Sequence, residues 1–327
     1  MPLPGDELAP IADALRGQRV CVTGGAGFVG VHLCHALIRL GAEVCIIDDL
    51  SASDGQDIDE LFELGEERVD FIHGSILDPA ALWDAIEGSR SIIHLAAITT
   101  VGESIDNPRR TIDVNTAGTA RVAEAARQAG VERVVFASSS SVYGDLPVPH
   151  REDAALRPIS PYAASKASGE HIIKAWASSM GVDGVSLRFF NIYGPNQKPD
   201  SRYAAVIPIF LDRASKGLPL VVHGDGEQTR DFISVQEVIR SMLLALTTKD
   251  QLHGEAINIG SGRAASINEL AQIVKRVSGS DVPIEHGQPR NGDVARSVAD
   301  MTKSFALLGF TPRGDLEENL TRQLHVV

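Results

Sequence analysis

The stretch Val22-Thr23-Gly24-Gly25-Ala26-Gly27-Phe28-Val29-Gly30 decides the fold of this chain. It overlaps an apolar run, Val20-Cys21-Val22, that reads as a buried strand. It opens a segment from Phe28 to Leu40 whose apolar residues, Val29, Leu33, Ala36, Leu37 and Leu40, have helical spacing. Gly24, Gly27 and Gly30 recur at every third position. Such a loop turns tightly, lets a pyrophosphate approach the backbone, and presents it to the free N–H groups of a helix N-terminus. A second strand, Val44-Cys45-Ile46-Ile47, ends in Asp48, 24 residues beyond Gly24, where an acid meets a ribose hydroxyl. This context predicts a dinucleotide site. An acid there disfavours a 2′-phosphate, which points to NAD rather than NADP.

Outward from this unit, strand-like and helix-like runs alternate. Phe71-Ile72-His73, Ser91-Ile92-Ile93-His94-Leu95, Arg133-Val134-Val135-Phe136-Ala137 and Val185-Ser186-Leu187-Arg188-Phe189 read as strands, and Pro79–Ile86, Asn107–Ala129 and Pro161–Met180 as helices. The alternation predicts α/β architecture, a doubly wound parallel (Rossmann) sheet with ligands beyond the carboxyl ends of its strands. After Phe190 the texture changes at the turn-rich Gly194-Pro195-Asn196-Gln197-Lys198-Pro199-Asp200. Residues 1–190 are therefore expected to form the dinucleotide domain, with parts of 228–262 returning to it. Residues 191–327 are expected to form a smaller, discontinuous C-terminal α/β lobe for substrate.

Composition narrows the partners. The chain has 327 residues, 43% hydrophobic and 22% charged, with a net charge of −13. That acidity argues against a nucleic-acid partner. No apolar run approaches a membrane span, and residues 1–18, with Asp6, Glu7 and Asp13, lack the pattern of a signal peptide; one amphipathic turn around Ile11 and Leu15 is expected there. The three cysteines, Cys21, Cys34 and Cys45, fall on buried-looking elements, match no metal spacing, and suggest reduced core thiols in a cytoplasmic protein.

Two motifs carry chemistry. Tyr162 and Lys166 lie four apart at the start of a helix and share one face, so an ammonium can favour the phenolate of a candidate general base. Ser138-Ser139-Ser140-Ser141-Val142-Tyr143-Gly144 follows a strand and supplies hydroxyls able to donate to a substrate oxygen. Asn115 is an amide in the middle of a helical pattern.

Together these residues resemble the extended short-chain dehydrogenase/reductases, and within them the NAD-dependent nucleotide-sugar epimerase/dehydratase family, nearest to the UDP-glucose and UDP-N-acetylglucosamine 4-epimerases. The resemblance runs from Arg19 to about Phe310. Besides the motifs above it rests on His94-Leu95-Ala96-Ala97, Phe189-Phe190-Asn191-Ile192-Tyr193-Gly194-Pro195, Gly224-Asp225-Gly226-Glu227-Gln228-Thr229-Arg230-Asp231-Phe232, Tyr203-Ala204-Ala205-Val206-Ile207-Pro208 and Pro289-Arg290-Asn291-Gly292-Asp293. It implies that Ser139, Tyr162 and Lys166 are catalytic. It implies an NAD site of Gly24, Gly27, Phe28, Val29, Gly30, Asp48, Leu95, Ala96, Ala97, Asn115 and Phe189, besides Tyr162 and Lys166. It implies a UDP-sugar site of Ser139, Ser140, Ser141, Tyr162, Asn191, Val206, His223, Arg230, Arg290, Asp293 and Ser297, with the two guanidiniums suited to a diphosphate. Ser75 stands where the family usually has an acid near the adenine, and Thr99 where many hexose epimerases carry a lysine. A homodimer through the helices Asn107–Ala129 and Pro161–Met180 is implied, and Ile172, Ile173 and Trp176 look surplus to one sheet-facing stripe.

The expected activity is inversion at C4 of a UDP-hexose through a transient 4-keto sugar. In the family it resembles, a tyrosine at the place of Ser297 excludes an acetamido group, so the small Ser297 extends the expectation to UDP-GlcNAc and UDP-GalNAc. Dehydratases of the family place an acid before Val-Tyr-Gly, where this chain has Ser140 and Ser141, and hydroxyls cannot do that acid–base work near neutral pH. A uronic-acid epimerase or decarboxylase is the next reading. A silent NAD-binding regulator is disfavoured by the presence of both Tyr162 and Lys166.

Overall fold

The apolar runs become strands of one parallel sheet. A computed structural model describes residues 5–199, 204–289 and 294–325. The first half runs α1 (Gly5–Leu15), β1 (Arg19–Thr23), α2 (Phe28–Arg39), β2 (Glu43–Asp48), α3 (Gln56–Gly65), β3 (Val69–His73), α4 (Pro79–Ile86), β4 (Ser91–His94), α5 (Val101–Asp106), α6 (Pro108–Ile112), a π-helical turn (Asp113–Gly118), α7 (Thr119–Gln128) and β5 (Arg133–Ser139). There follow α8 (Pro161–Ser179), β6 (Asp183–Phe189), β7 (Asn191–Tyr193), α9 (Val206–Ser215), β8 (Leu220–His223), β9 (Thr229–Arg230), β10 (Phe232–Ser234), α10 (Val235–Thr247) and β11 (Glu255–Ile259). The chain continues through β12 (Ala265–Ser266), α11 (Ile267–Ser278), β13 (Ile284–Gly287), α12 (Thr302–Leu308) and α13 (Leu316–His325).

The seven-stranded sheet has the order β11-β6-β5-β4-β1-β2-β3, and every pairing is parallel. This is the expected doubly wound architecture. The strand order reverses at β1, which pairs with β2 on one side and β4 on the other, so the crevice lies beyond the ends of β1 and β4. Runs of Val and Ile fill both faces. One apolar layer joins Leu33, Leu37, Ile46 and Val238; the other joins Ile92, Val134, Ala126 and Ile173. A third cluster, with Phe210, Leu220, Val222, Leu270 and Val274, packs α9, β8 and α11 as a separate small layer.

Several elements differ from the sequence reading. The expected helix over 107–129 is broken: Pro108 restarts a helix at N1 after Asn107, and residues 113–118 widen into the π-turn. The amphipathic turn at the N-terminus is a full helix, with Ile11 and Leu15 in the core. β11, not read as a strand from sequence, completes the edge of the main sheet beside β6. Ile173 is buried, and Ile172 and Trp176 pack on the same layer, so the apolar surplus expected on α8 is used within the chain. All three cysteines are free and buried, and Cys21 pairs in register with Cys45. Among the described residues no helix is long and apolar enough to cross a membrane, and no group of His, Cys, Asp and Glu gathers as a metal site.

Two glycines fix the crevice. Gly24 has φ of 74°, and a Cβ there would lie 2.6 Å from Ala96 N. At Gly30 a Cβ would lie 2.3 Å from Gly24 O and 2.6 Å from Gly25 Cα, so only glycine lets α2 close on the loop. Gly30→Ala is expected to destabilise the chain by about 3 kcal/mol and to abolish retention of bound dinucleotide. Denaturant melts and cofactor content after gel filtration measure both; an unchanged melt with full cofactor content would contradict this account of the loop.

Candidate active site at the end of strand β5

The site is built where α8 lies on the carboxyl end of β5. Ser160 caps the helix by accepting from Ala163 N at 3.1 Å, and Pro161 occupies its first turn. Gly169 passes so close to Phe136 that a Cβ would meet its ring at 2.4 Å. Lys166 Nζ donates to Ala137 O at 2.8 Å, and Ser138 Oγ donates to Glu170 Oε1 at 2.5 Å. One turn further toward the helix start, the Tyr162 phenol reaches the Ser139 hydroxyl, so the catalytic set expected from sequence is assembled in one place.

Electrostatics here differ from the simple expectation. Burial pushes the Tyr162 phenol up, and the hydrogen bond from Ser139 opposes it. Lys166, aimed at a carbonyl and 5.8 Å from the centre of the Tyr162 ring, is lowered by burial to about 7. Burial therefore works against the activating charge expected from spacing alone. The other tyrosine of the loop, Tyr143, is pushed by burial up to about 12 and donates to Asn258 Oδ1 at 2.6 Å, so it keeps its proton.

Beneath the loop lies a buried ion pair that spacing alone left unread. Arg188 donates from Nε and a terminal nitrogen to the two carboxylate oxygens of Glu170 at 2.8 and 2.7 Å, and from its other nitrogen to Tyr143 Oη at 2.8 Å. Ser138 at one end of the serine loop and Tyr143 at the other are thus tied to one pair. Glu170 follows Lys166 by four, a repeat of the Tyr162–Lys166 interval that could have flagged it. Within the loop, Ser139 Oγ accepts from Ser141 N at 3.1 Å, and Ser141 Oγ is buried with no hydrogen-bond partner among the described residues.

Most of the residues expected at the dinucleotide lie at or just beyond the ends of β1, β2, β4 and β6. Helix α2 begins after Gly27 with no side-chain cap and no acid in its first turn, which leaves the amides around Phe28 and Val29 to an anion. Asp48, at the end of β2, accepts from Ala26 N at 3.0 Å and Leu50 N at 2.8 Å, which fixes its carboxylate beside the glycine loop. Leu95, Ala96 and Ala97 follow β4 and stay partly exposed; Phe189 ends β6 and is buried. Room for backbone approach, an uncapped helix start and a fixed carboxylate fit NAD. Ser75, at the place of the missing acid, caps a turn by accepting from Leu77 N at 3.2 Å.

Asn115 sits in the π-turn, 2% exposed. Its amide accepts from Ile98 N at 2.8 Å and donates to Ile98 O and to Ser165 Oγ, both at 3.0 Å. A second chain of bonds runs beside it. The Thr119 hydroxyl donates to Asn115 O at 2.6 Å, so it accepts from His94 Nε2, 3.0 Å away. Thr23 Oγ1 accepts from Ala96 N at 3.2 Å and donates to His94 Nδ1 at 2.7 Å. His94 is held neutral: burial, and then the Lys166 charge, push it down to about 3.

Besides Ser139, Ser140, Ser141 and Tyr162, the residues expected at the sugar nucleotide follow β6 in the chain. Asn191 opens β7 and is exposed; Val206 starts α9; His223 ends β8 with Nδ1 3.1 Å from Gln288 O; Arg230 ends β9. Ser297 is buried beside β9, its N–H bonded to Thr229 O at 3.1 Å. Arg290 and Asp293, with Tyr203, lie outside the described residues.

The chain is similar to known proteins over nearly its whole length. Over 311 residues the chain is 36% identical to a putative UDP-glucose 4-epimerase of Methanocaldococcus jannaschii, covering 93% of this chain and 96% of that one. It is 34% identical to a UDP-N-acetyl-alpha-D-glucosaminuronate decarboxylase of Bacillus cytotoxicus, covering 93% and 95%. A solved UDP-N-acetylglucosamine 4-epimerase from Methanobrevibacter ruminantium, in complex with UDP-N-acetylmuramic acid, superposes with a TM-score of 0.89 at 35% identity, covering 95% of this chain and 98% of that one. The model of the NAD dependent epimerase/dehydratase family matches residues 20–260, and with that match, the glycine loop of the crevice and the Ser139–Tyr162–Lys166 set, the chain belongs to this family and NAD is its cofactor.

Proposed function

We propose that the chain is a UDP-hexose 4-epimerase. In this reading residues 1–190, with parts of 228–262, hold NAD, and residues 191–327 hold the UDP-sugar. NAD, when bound, supplies a reversible two-electron acceptor for the hydrogen on C4. Tyr162 takes the proton of the 4-hydroxyl, and Ser139 bonds the same oxygen and steadies the phenolate. Lys166 adds positive charge when protonated. Asn191, Val206, His223, Arg230, Arg290 and Asp293 hold the nucleoside diphosphate while the sugar presents first one face and then the other.

The observation that carries this reading is the pair of residues between Ser139 and the buried Val142-Tyr143 turn. Ser140 and Ser141 are hydroxyls, with no carboxyl group to run an elimination of water, which favours return of the hydrogen to C4 over dehydration. Ser141 Oγ, buried and unpartnered, is available to donate to a sugar oxygen or to a uronic carboxylate, which keeps a UDP-uronate epimerase as the second reading. Incubation with UDP-GlcNAc, UDP-glucose and UDP-glucuronate in separate arms, read by NMR for the C4 epimer, separates the two. Tyr162→Phe is expected to keep NAD and the fold and to lose about 10³-fold or more of turnover; near wild-type turnover would remove Tyr162 from the mechanism.

Acceptance of the N-acetylated sugar rests on Ser297. It is buried, not an exposed strand residue, and a packed neighbourhood absorbs an extra acetamido group only where a small side chain leaves room. Ser297→Tyr is expected to suppress the UDP-GlcNAc reaction far more than any UDP-glucose reaction in matched assays. Equal losses would contradict the assignment.

We also infer a homodimer through α6, α7 and α8. Val101, Ile105 and Ile112 are exposed large apolar residues on or beside these helices, and the outer face of α8 is small and accessible at Ala164, Ser168 and Ala175. Sedimentation at micromolar concentration is expected to give a dimer mass; a monomer would refute the interface.

A further inference from the structure

Three chain segments meet on one buried carboxylate. Asp231, 0% exposed, accepts from Ser261 N and Ser261 Oγ on Oδ1, both at 2.6 Å, and from Gly262 N at 3.0 Å and Ala299 N at 3.1 Å on Oδ2. Its own carbonyl accepts from Asn191 N at 2.9 Å. Gly260 makes room for the approach: a Cβ there would lie 2.7 Å from Asp231 Oδ2 and 2.9 Å from Ala299 Cβ. The residues held this way flank the proposed sugar-nucleotide groups. Arg230 is the preceding residue, Asn191 is bonded directly, and Ser297 lies two residues before Ala299 on a segment that pairs with Thr229.

We propose that Asp231 is the positioning residue of the substrate half of the site, setting the mutual placement of Asn191, Arg230 and Ser297 by drawing the 231, 261–262 and 299 segments onto one anion. It acts through its neighbours and touches no reacting atom. The dinucleotide half is organised separately, by Thr23, His94, Thr119 and Asn115, none of which bonds to Asp231. The two halves are therefore separable by mutation. A carboxylate accepts all four donors on its two oxygens. An amide would turn its own N–H groups against two of them. Burial acts against the charge, and the hydrogen bonds from Ser261, Ala299 and Gly262 support it.

The proposal rests on the reading of Arg230 and Asn191 as sugar-nucleotide contacts, so the probe is UDP alone, titrated calorimetrically into the NAD-loaded protein. Asp231→Asn is expected to raise the Kd for UDP about tenfold or more while bound NAD per chain stays at the wild-type value. Ser261→Ala, which removes one of the four donors and keeps the carboxylate, is expected to raise it by a smaller factor of about two to five. In steady state, Asp231→Asn is expected to raise KM far more than it lowers kcat. A UDP Kd within twofold of wild type in a folded Asp231→Asn protein overturns the proposal, as does a loss of NAD in step with the loss of UDP binding. If Asp231→Asn does not fold, Ser261→Ala decides alone, and an unchanged Kd there overturns it. Failure of the wild-type protein to bind UDP overturns instead the underlying reading of the site.

Discussion

The seat of α8 on the end of β5 is the constraint from which the active site follows. Successive helix turns meet successive strand residues: Gly169 against Phe136, Lys166 on Ala137 O, Glu170 on Ser138. Once these contacts form, the next turn can only bring Tyr162 to Ser139. Lys166 and Glu170 are held by the strand, and Ser139 Oγ accepts only from Ser141 N besides meeting the phenol, so both hydroxyls can still turn to a substrate oxygen. The cost of this arrangement is a buried Glu170–Arg188 pair, which adds little net stability when intact but is expensive to break. Its use is geometric, since it holds both ends of the serine loop.

A second constraint couples this seat to the dinucleotide crevice. The bonds from Ala96 through Thr23, His94 and Thr119 to Asn115 O, and from the Asn115 amide to Ser165, run without a break from the ends of β1 and β4 to α8. The π-turn at 113–118 carries the amide between them. A neutral His94 suits this place for a further reason. A second cation beside Lys166 would lower the lysine beyond the shift already caused by burial, and so weaken its charge near neutral pH.

Much of the fold was legible because buried parallel strands and glycine turns have local signatures. The alternation from β1 through β6, the crevice at Gly24 and Gly30, Asp48 at its strand end, and the face shared by Tyr162 and Lys166 all follow from short-range spacing. What escaped was decided by tertiary packing. The π-turn leaves no mark on apolar periodicity, and β11 is a short segment whose role as an edge strand depends on β6 beside it. Glu170 and Arg188 each look like surface charges until the fold buries them together. Asp231 sits beside a recognisable Arg230, but its partners Ser261, Gly262 and Ala299 are distant in sequence. The shift of Lys166 likewise depends on desolvation, which spacing does not report.

The central claim is that this site lifts hydrogen from C4 and returns it to the same carbon. The direct measurement uses UDP-N-acetylglucosamine carrying deuterium at C4, incubated with the NAD-loaded protein and followed by NMR and mass spectrometry. The account predicts a C4 epimer of unchanged mass with the deuterium still on C4. A product lighter by one water or by carbon dioxide, or an epimer whose C4 deuterium has washed into solvent, would contradict it.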